Sequence, residues 1–296
     1  MKELDIKKNF LAIDKRYSTY KNSEIVIISV PFEKTVSYGK GAKKGPKEIL
    51  EASHYVEFYD EELNRELCFE KGICTLEPLD LAKLTPKLAL NKIFKTVQDL
   101  LKDGKFVVTL GGEHSISAAP VRAYSQNYKD LSILQFDAHS DLRLPYEGSE
   151  YSHASVMARI AEFNKNIVQV GIRAQCIEEA RYIEDNGIAT FYARDIRRGA
   201  FQGGWQQEVL NRLNDDVYIT FDVDCFDPAI IGATGTPEPG GMFWDEIMDL
   251  LRLVGDKKNI VGFDVVELAP EKTKPESNYN AAKLVYKMLN YAFQNK

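Results

Sequence analysis

Short apolar runs recur along the chain and alternate with longer segments in which apolar positions return every three or four residues. Six runs, Ile25–Val30, Phe106–Leu110, Leu131–Phe136, Ile167–Val170, Val217–Phe221 and Ile260–Phe263, are rich in Val, Ile and Phe. They are apolar on both faces, as strands buried within a parallel sheet must be. Between them, Lys87–Leu101 places apolar residues at Leu88, Ile93, Phe94, Val97, Leu100 and Leu101, which predicts a helix. Ser115–Tyr124, Ile177–Asn186, Trp205–Leu213, Asp245–Val254 and Asn280–Phe293 read the same way. Gly104 and Gly187 stand where helices should stop, and Pro46 and Pro86 fit first helical turns. The alternation predicts an α/β fold with a mainly parallel sheet flanked by helices, its strand C-termini gathered along one edge, where such sheets bind ligands.

The chain has 296 residues, enough to bury one large core. No linker-like, low-complexity or repeated stretch divides it, so residues 1–296 are expected to form a single domain. The formal net charge of −6 is mild and the signs are mixed, without the basic stripe of a nucleic-acid binder. Lys40-Gly41-Ala42-Lys43-Lys44 reads as a solvated loop. The charged N-terminus lacks a signal-peptide core and no apolar run approaches membrane-spanning length, so the expectation is a cytoplasmic protein with neither membrane nor nucleic acid as partner. The four cysteines, Cys68, Cys74, Cys176 and Cys225, are scattered, without a C-x-x-C pair. Cys225 falls inside an acidic motif, but no histidine close in sequence activates it as a nucleophile.

Chemistry concentrates in three motifs, each following a predicted strand: Gly111-Gly112-Glu113-His114-Ser115, Asp137-Ala138-His139-Ser140-Asp141 and Asp222-Val223-Asp224-Cys225-Phe226-Asp227-Pro228. Three of the chain's four histidines, His114, His139 and His153, fall in or near them. Asp137, His139 and Asp141 are spaced two apart; if the extended conformation persists, they point to one side. Asp222 and Asp224 repeat the spacing, and Gly111-Gly112 lets the chain turn sharply before His114. Four carboxylates packed together repel one another unless cations neutralise them. Two divalent ions sharing a water would do so and would lower the pKa of that water. The oxygen-rich donor set suits Mn²⁺, with Zn²⁺, Co²⁺ and Fe²⁺ left open.

These motifs resemble the ureohydrolases of the arginase–agmatinase family. So do Gly235-Thr236-Pro237-Glu238-Pro239-Gly240-Gly241, Asp264-Val265-Val266-Glu267-Leu268-Ala269-Pro270 and the Gly41-Ala42 and Gly45-Pro46 pairs. The resemblance implies a three-layer α/β/α fold, two Mn²⁺ ions per chain, a small guanidino substrate and a homo-oligomer, trimer or hexamer. It places one metal on His114, Asp137, Asp141 and Asp222 and the other on His139, Asp137, Asp222 and Asp224. It assigns catalytic roles to Asp141, which orients a metal-bridging hydroxide and relays a proton, to Glu267, which binds the guanidinium, and to His153, which shuttles protons.

Departures from the family pattern sharpen the expectation. Leu50 stands where Arg is frequent, Ser152-His153-Ala154-Ser155 replaces a His-Gly, and Asp141-Leu142-Arg143 lacks the Asn with which arginases hold an α-carboxylate. The resemblance is therefore closer to agmatinases and implies hydrolysis of agmatine to putrescine and urea. Arginine, guanidinobutyrate, formimidoylglutamate and aminopropyl-agmatine are alternative substrates, with loops Leu142–Glu150 and Ile230–Gly235 expected to decide among them. A single-metal deacetylase-like enzyme and a non-catalytic metal-binding protein are the competing readings.

Overall fold

In the computed structural model, which describes residues 2–296, eight parallel strands form one sheet. They are β1 (Ile25–Val30), β2 (Ile73–Thr75), β3 (Phe106–Gly111), β4 (Ser132–Phe136), β5 (Ile167–Ile172), β6 (Ala189–Tyr192), β7 (Asp216–Asp222) and β8 (Asn259–Val266). Their order across the sheet is β2-β1-β3-β8-β7-β4-β5-β6. Each of the six apolar runs marks an observed strand, four of them to within a residue at both ends, while Ile167–Val170 stops two residues short of the end of β5 and Ile260–Phe263 three short of the end of β8. The two strands without a sequence signal, β2 and β6, are the short outermost ones.

Alternation divides the core between the two faces of the sheet. Ile25, Ile27, Phe136, Phe221 and Phe263 pack on one side against the helices Gly45–Ser53, Trp205–Arg212, Trp244–Lys257 and Pro275–Ala292. Val26, Ile28, Ile133 and Tyr218 face the other side, covered by Pro86–Lys102, Ala118–Ser125, Val156–Ala161 and Ile177–Asn186. This is the three-layer α/β/α arrangement. Helix Ile177–Asn186 has the expected bounds and ends at Gly187, whose φ of 64° a side chain would resist. The expected helix over Ser115–Tyr124 begins instead with a 3-10 turn at His114–Ser117 before the α-helix Ala118–Ser125. Helix Val156–Ala161 had no sequence signal; at six residues it is too short for a periodic pattern. Among the described residues, no helix is long and apolar enough to cross a membrane.

All strands run one way, so their C-terminal ends share an edge. The four adjacent central strands, β3, β8, β7 and β4, carry the acidic and imidazole motifs to that edge.

Candidate metal centre

His114 follows β3 at the start of the His114–Ser117 turn, Asp137 follows β4, and Asp222 closes β7. The three meet in the interior. His114 Nδ1 lies 3.0 Å from Asp137 Oδ2, 3.0 Å from Asp141 Oδ2 and 3.4 Å from Asp222 Oδ2. His139 Nδ1 lies 3.0 Å from Asp224 Oδ2 and 3.6 Å from Asp137 Oδ1. Two compact donor groups result, His114–Asp137–Asp141 and Asp137–His139–Asp224, each with its donor atoms within 4.8 Å of one another. Asp137 belongs to both. Asp222 falls outside both groups and stands next to His114 and, through Oδ1, to the Asp224 N–H at 2.9 Å.

The expected extended run through Asp141 does not persist. Asp141 has a φ of 54°, a left-handed conformation that turns its carboxylate toward His114. Its carbonyl simultaneously accepts the N–H groups of Met157 (3.0 Å) and Ala158 (3.3 Å), tying the turn to the helix Val156–Ala161. Glu267 is also left-handed, at 64°. Two of the six non-glycine residues with positive φ among the described residues thus sit in this site, where backbone strain tends to collect.

The electrostatics follow from packing acids below the surface. Burial, together with the charges of Asp224 and Asp137, pushes Asp222 well above the usual carboxylate range. Burial and the charge of Asp137 raise Asp141 to about 7. Burial alone would raise Asp137, but the neighbouring imidazoles of His114 and His139 win and hold it low. Burial would lower both imidazoles; Asp137 and Asp141 instead raise His114, while Asp224 and Asp137 raise His139 to about 12.

The donor set fits a pair of divalent cations. His114 Nε2 is engaged with Thr220 Oγ1 at 2.9 Å, whereas the fully buried Nδ1 has no aligned hydrogen-bond partner. A buried lone pair facing three carboxylate oxygens is where a cation would be held. Imidazole nitrogens and carboxylate oxygens, without a thiolate, match hard or borderline divalent ions.

Glu267 lies beside this cluster. Its Oε1 accepts the His114 N–H at 2.6 Å, and burial pushes its carboxyl well up. His153 does not touch the donor groups. Its Nε2 lies 3.3 Å from Ser37 Oγ and its backbone N–H donates to Thr35 Oγ1 at 3.0 Å, while burial lowers its pKa. His153, His114, His139, Asp141, Asp222, Asp224 and Glu267 nevertheless line one pocket of about 280 Å³. Arg143 and Tyr146 come to it from the Leu142–Glu150 loop. The Ile230–Gly235 segment contributes none of the lining; Thr236 and Glu238, just beyond it, do. Gly235 instead packs against Gly39, where a Cβ on Gly39 would lie 2.7 Å from the Gly235 carbonyl oxygen.

Other residues bearing on the site escaped sequence reasoning. Thr109, Asp264, Thr220, Gln135, Gln169 and Thr190 are register neighbours on six successive strands, β3, β8, β7, β4, β5 and β6. Most of this polar row is hydrogen-bonded beneath the donor groups. Thr190 donates to Gln169, Gln169 to Gln135, and Gln135 to Asp137 Oδ2 at 2.8 Å. Thr220 donates to Asp264 at 2.8 Å while facing His114. The available signal was a polar residue within or next to an apolar run, such as Gln135 in Ser-Ile-Leu-Gln-Phe, and β6 with Thr190 offered no run at all. Asp227 shapes a loop, since its Oδ2 accepts the N–H groups of Gly240 and Gly241, each at 3.0 Å. Cys225 is buried beside the Val170 carbonyl, and burial pushes its thiol well up, consistent with no nucleophilic role. His54 is structural, bonded through Nε2 to the Asn9 carbonyl at 3.0 Å.

Comparison with known proteins agrees with this geometry. The family model described as "Arginase family" matches residues 23–290. The N(1)-aminopropylagmatine ureohydrolase of Synechocystis sp. is 38% identical over 93% of this chain and 90% of its own length. The agmatinase of Pyrococcus horikoshii is 31% identical over 90% of this chain and 91% of its own. The crystal structure of agmatine ureohydrolase of Thermoplasma volcanium superposes with a TM-score of 0.86 at 29% identity, covering 98% of this chain and 96% of that one. The family match spans the strands, the clustered His and Asp side chains and the pocket wall alike: the chain is a ureohydrolase of the arginase family.

Proposed function

We propose that this chain hydrolyses the guanidino group of a cationic guanidino-alkylamine, agmatine or its N1-aminopropyl derivative, to urea and the corresponding amine. The observation that carries this reading is the charge of the pocket wall. Glu238 lines the pocket and, among the described residues, has no ion-pair or side-chain hydrogen-bond partner. Arg143, the lining cation, is occupied: its Nε lies 3.8 Å from Glu179 and its guanidinium covers the Tyr146 ring at 4.7 Å. A substrate ending in an ammonium group meets an open carboxylate, whereas arginine would bring its own carboxylate toward Glu238. Relatives named for agmatine and for N1-aminopropylagmatine support the same substrate class.

His114, Asp137, Asp141 and Asp222 would hold one divalent cation, and His139, Asp137, Asp222 and Asp224 a second, with Mn²⁺ the favoured ion. When bound, the pair would neutralise the carboxylates and supply Lewis acidity to a shared water. The chain's own groups do the rest. Glu267, held left-handed and anchored by the His114 N–H, presents its free oxygen to the guanidinium, whose positive charge restores the ionised carboxylate that burial disfavours. Asp141 orients the water and takes up its proton. His153, kept neutral near pH 7 by burial, passes protons between pocket and solvent and delivers one to the departing amine.

The test is urea release by Mn²⁺-loaded protein from agmatine, N1-aminopropylagmatine, arginine and guanidinobutyrate, with metal quantified per chain. The two amines should exceed the two acids in kcat/KM by about a hundredfold, as one misplaced desolvated charge implies. Arginine used as well as agmatine would overturn the substrate class. One metal per chain would favour the single-metal reading.

A further inference from the structure

Glu113 is a fully buried carboxylate that lies between β3 and the His114–Ser117 turn and takes no place among the donor groups. Four donors converge on it. Lys34 N–H (2.6 Å) and Thr35 N–H (2.7 Å) reach Oε2, while Thr35 Oγ1 (2.9 Å) and Ser115 Oγ (2.6 Å) reach Oε1. The backbone here is pinned as well, because Gly112 N–H donates to the Val30 carbonyl and Glu113 N–H to that of Phe32, each at 2.9 Å. The segment after β1 is therefore fastened to the site, and it carries Ser37 into the pocket wall.

Thr35 connects this carboxylate to His153. A hydroxyl has one proton and two lone pairs, and a carboxylate can only accept. The Thr35 proton thus goes to Glu113, and its oxygen is left to accept. It accepts the His153 backbone N–H at 3.0 Å and faces His153 Nδ1 at 3.5 Å, the outer limit of a hydrogen bond. Ser152 Oγ stands at the same distance from Nδ1. An oxygen that cannot donate favours the tautomer with its proton on Nδ1, which leaves the Nε2 lone pair beside Ser37 Oγ at 3.3 Å.

We propose that Glu113 and Thr35 are positioning residues for His153. The carboxylate fixes the direction of the Thr35 hydroxyl, and that hydroxyl fixes the backbone of His153 and the ring nitrogen that takes up the proton. The proposal rests on the proton-carrying role of His153 given above. Neither residue touches the substrate; each acts through the imidazole.

A double-mutant cycle with Thr35→Val, Thr35→Ser and His153→Asn tests it, read by urea release from agmatine and from N1-aminopropylagmatine. Thr35→Val removes the accepting oxygen at nearly constant volume and should lower kcat about tenfold with KM changed less than about twofold. Thr35→Ser should restore kcat to within about twofold of the parent. In the His153→Asn background, Thr35→Val should have no further effect beyond about twofold. Metal per chain should stay at the parental value in the Thr35 variants, and the unfolding midpoint should fall in Thr35→Val by no more than about the few degrees that lost buried hydrogen bonds imply and be recovered in Thr35→Ser, which separates positioning from loss of the metals or of the fold. Glu113→Gln should fall in the same non-additive pattern. A His153→Asn enzyme with depressed kcat in which Thr35→Val still removes its full factor overturns this proposal alone. Undiminished kcat in His153→Asn removes the shuttle role, and this proposal with it.

Discussion

Asp141→Asn separates the electrostatic burden of the site from its chemistry. Asn tolerates a φ of 54° at least as well as Asp, and the Asp141 carbonyl that holds Met157 and Ala158 belongs to the backbone, so the turn survives the change. Only the charge is lost. In metal-free protein that charge is a liability. Asp137 and Asp141 place oxygens within 4.8 Å of each other, a repulsion of about 3–4 kcal/mol at an effective dielectric of 20. Burial adds to that repulsion and the imidazoles of His114 and His139 only partly offset it, so the neutral form is favoured and the carboxyl rises from 3.8 to about 7. The sign follows from proton counting. The folded state keeps the Asp141 proton to higher pH than the unfolded state, so metal-free stability declines as pH rises from about 4 through about 7. Asn does not titrate and escapes that decline. In chelator at pH 7.5, Asp141→Asn should therefore be more stable than the parent by about 2–4 kcal/mol, or about 3–6 °C in midpoint for a chain of 296 residues. The difference should vanish near pH 4. With Mn²⁺ present the order should reverse, because the parent gains binding energy the variant cannot match, and kcat should drop by about 10²–10⁴. Thermal scans with and without chelator at several pH values read the first part, and urea release reads the second. A metal-free variant that melts several degrees below the parent at pH 7.5 would refute the electrostatic argument; parental turnover would refute the role of Asp141.

Two further changes probe the pocket wall and the scaffold separately. Glu238→Gln should raise KM for agmatine about five- to tenfold with kcat nearly unchanged, since a rim charge contributes about 1 kcal/mol to binding; an unaltered kcat/KM for both amines would remove Glu238 from recognition. Lys287 is buried between Asp60 (2.9 Å) and Glu62 (2.7 Å), where burial would lower its pKa but the two carboxylates raise it. Lys287→Met strands Asp60, which keeps the N–H groups of Glu62 and Leu63, so the loss should be about 2–4 kcal/mol rather than the full cost of a broken buried pair. Denaturant unfolding at matched metal content reads it, and kcat should not move.

The strands that hold the site were visible because a sheet covered on both faces leaves few polar positions, so each reads as a nearly continuous apolar run. The same logic explains the two strands that were not. β2 offers three residues, Ile-Cys-Thr, and β6 offers Ala-Thr-Phe-Tyr, most of it only half-buried at the sheet edge. Neither is long enough to show a period. The helix Val156–Ala161 escaped for the same reason, although its placement matters, since the Asp141 turn is anchored on it.

Candidate ligands were legible because cation chemistry restricts residue type, and a strand end restricts spacing. Their geometry was not, because it depends on local conformations that spacing does not encode: Asp141 reaches His114 by leaving the extended conformation, and Asp222 stands beside His114 rather than within either compact donor group. The supporting groups needed still more. Gln135 and Thr220 lie inside separate apolar runs and Asp264 directly follows a third, and nothing in any one run says that they lie side by side. Register makes them a row, and the row then explains itself. A buried amide or hydroxyl with no partner costs about 1–3 kcal/mol, and Asp264, Thr220, Gln135, Gln169 and Thr190 avoid that cost by satisfying one another or the groups above, whereas the Thr109 hydroxyl is left without a partner. In this chain the groups above are Asp137 and His114, from two of the three motifs that build the site, so the orientation of both is set by side chains that never face the pocket.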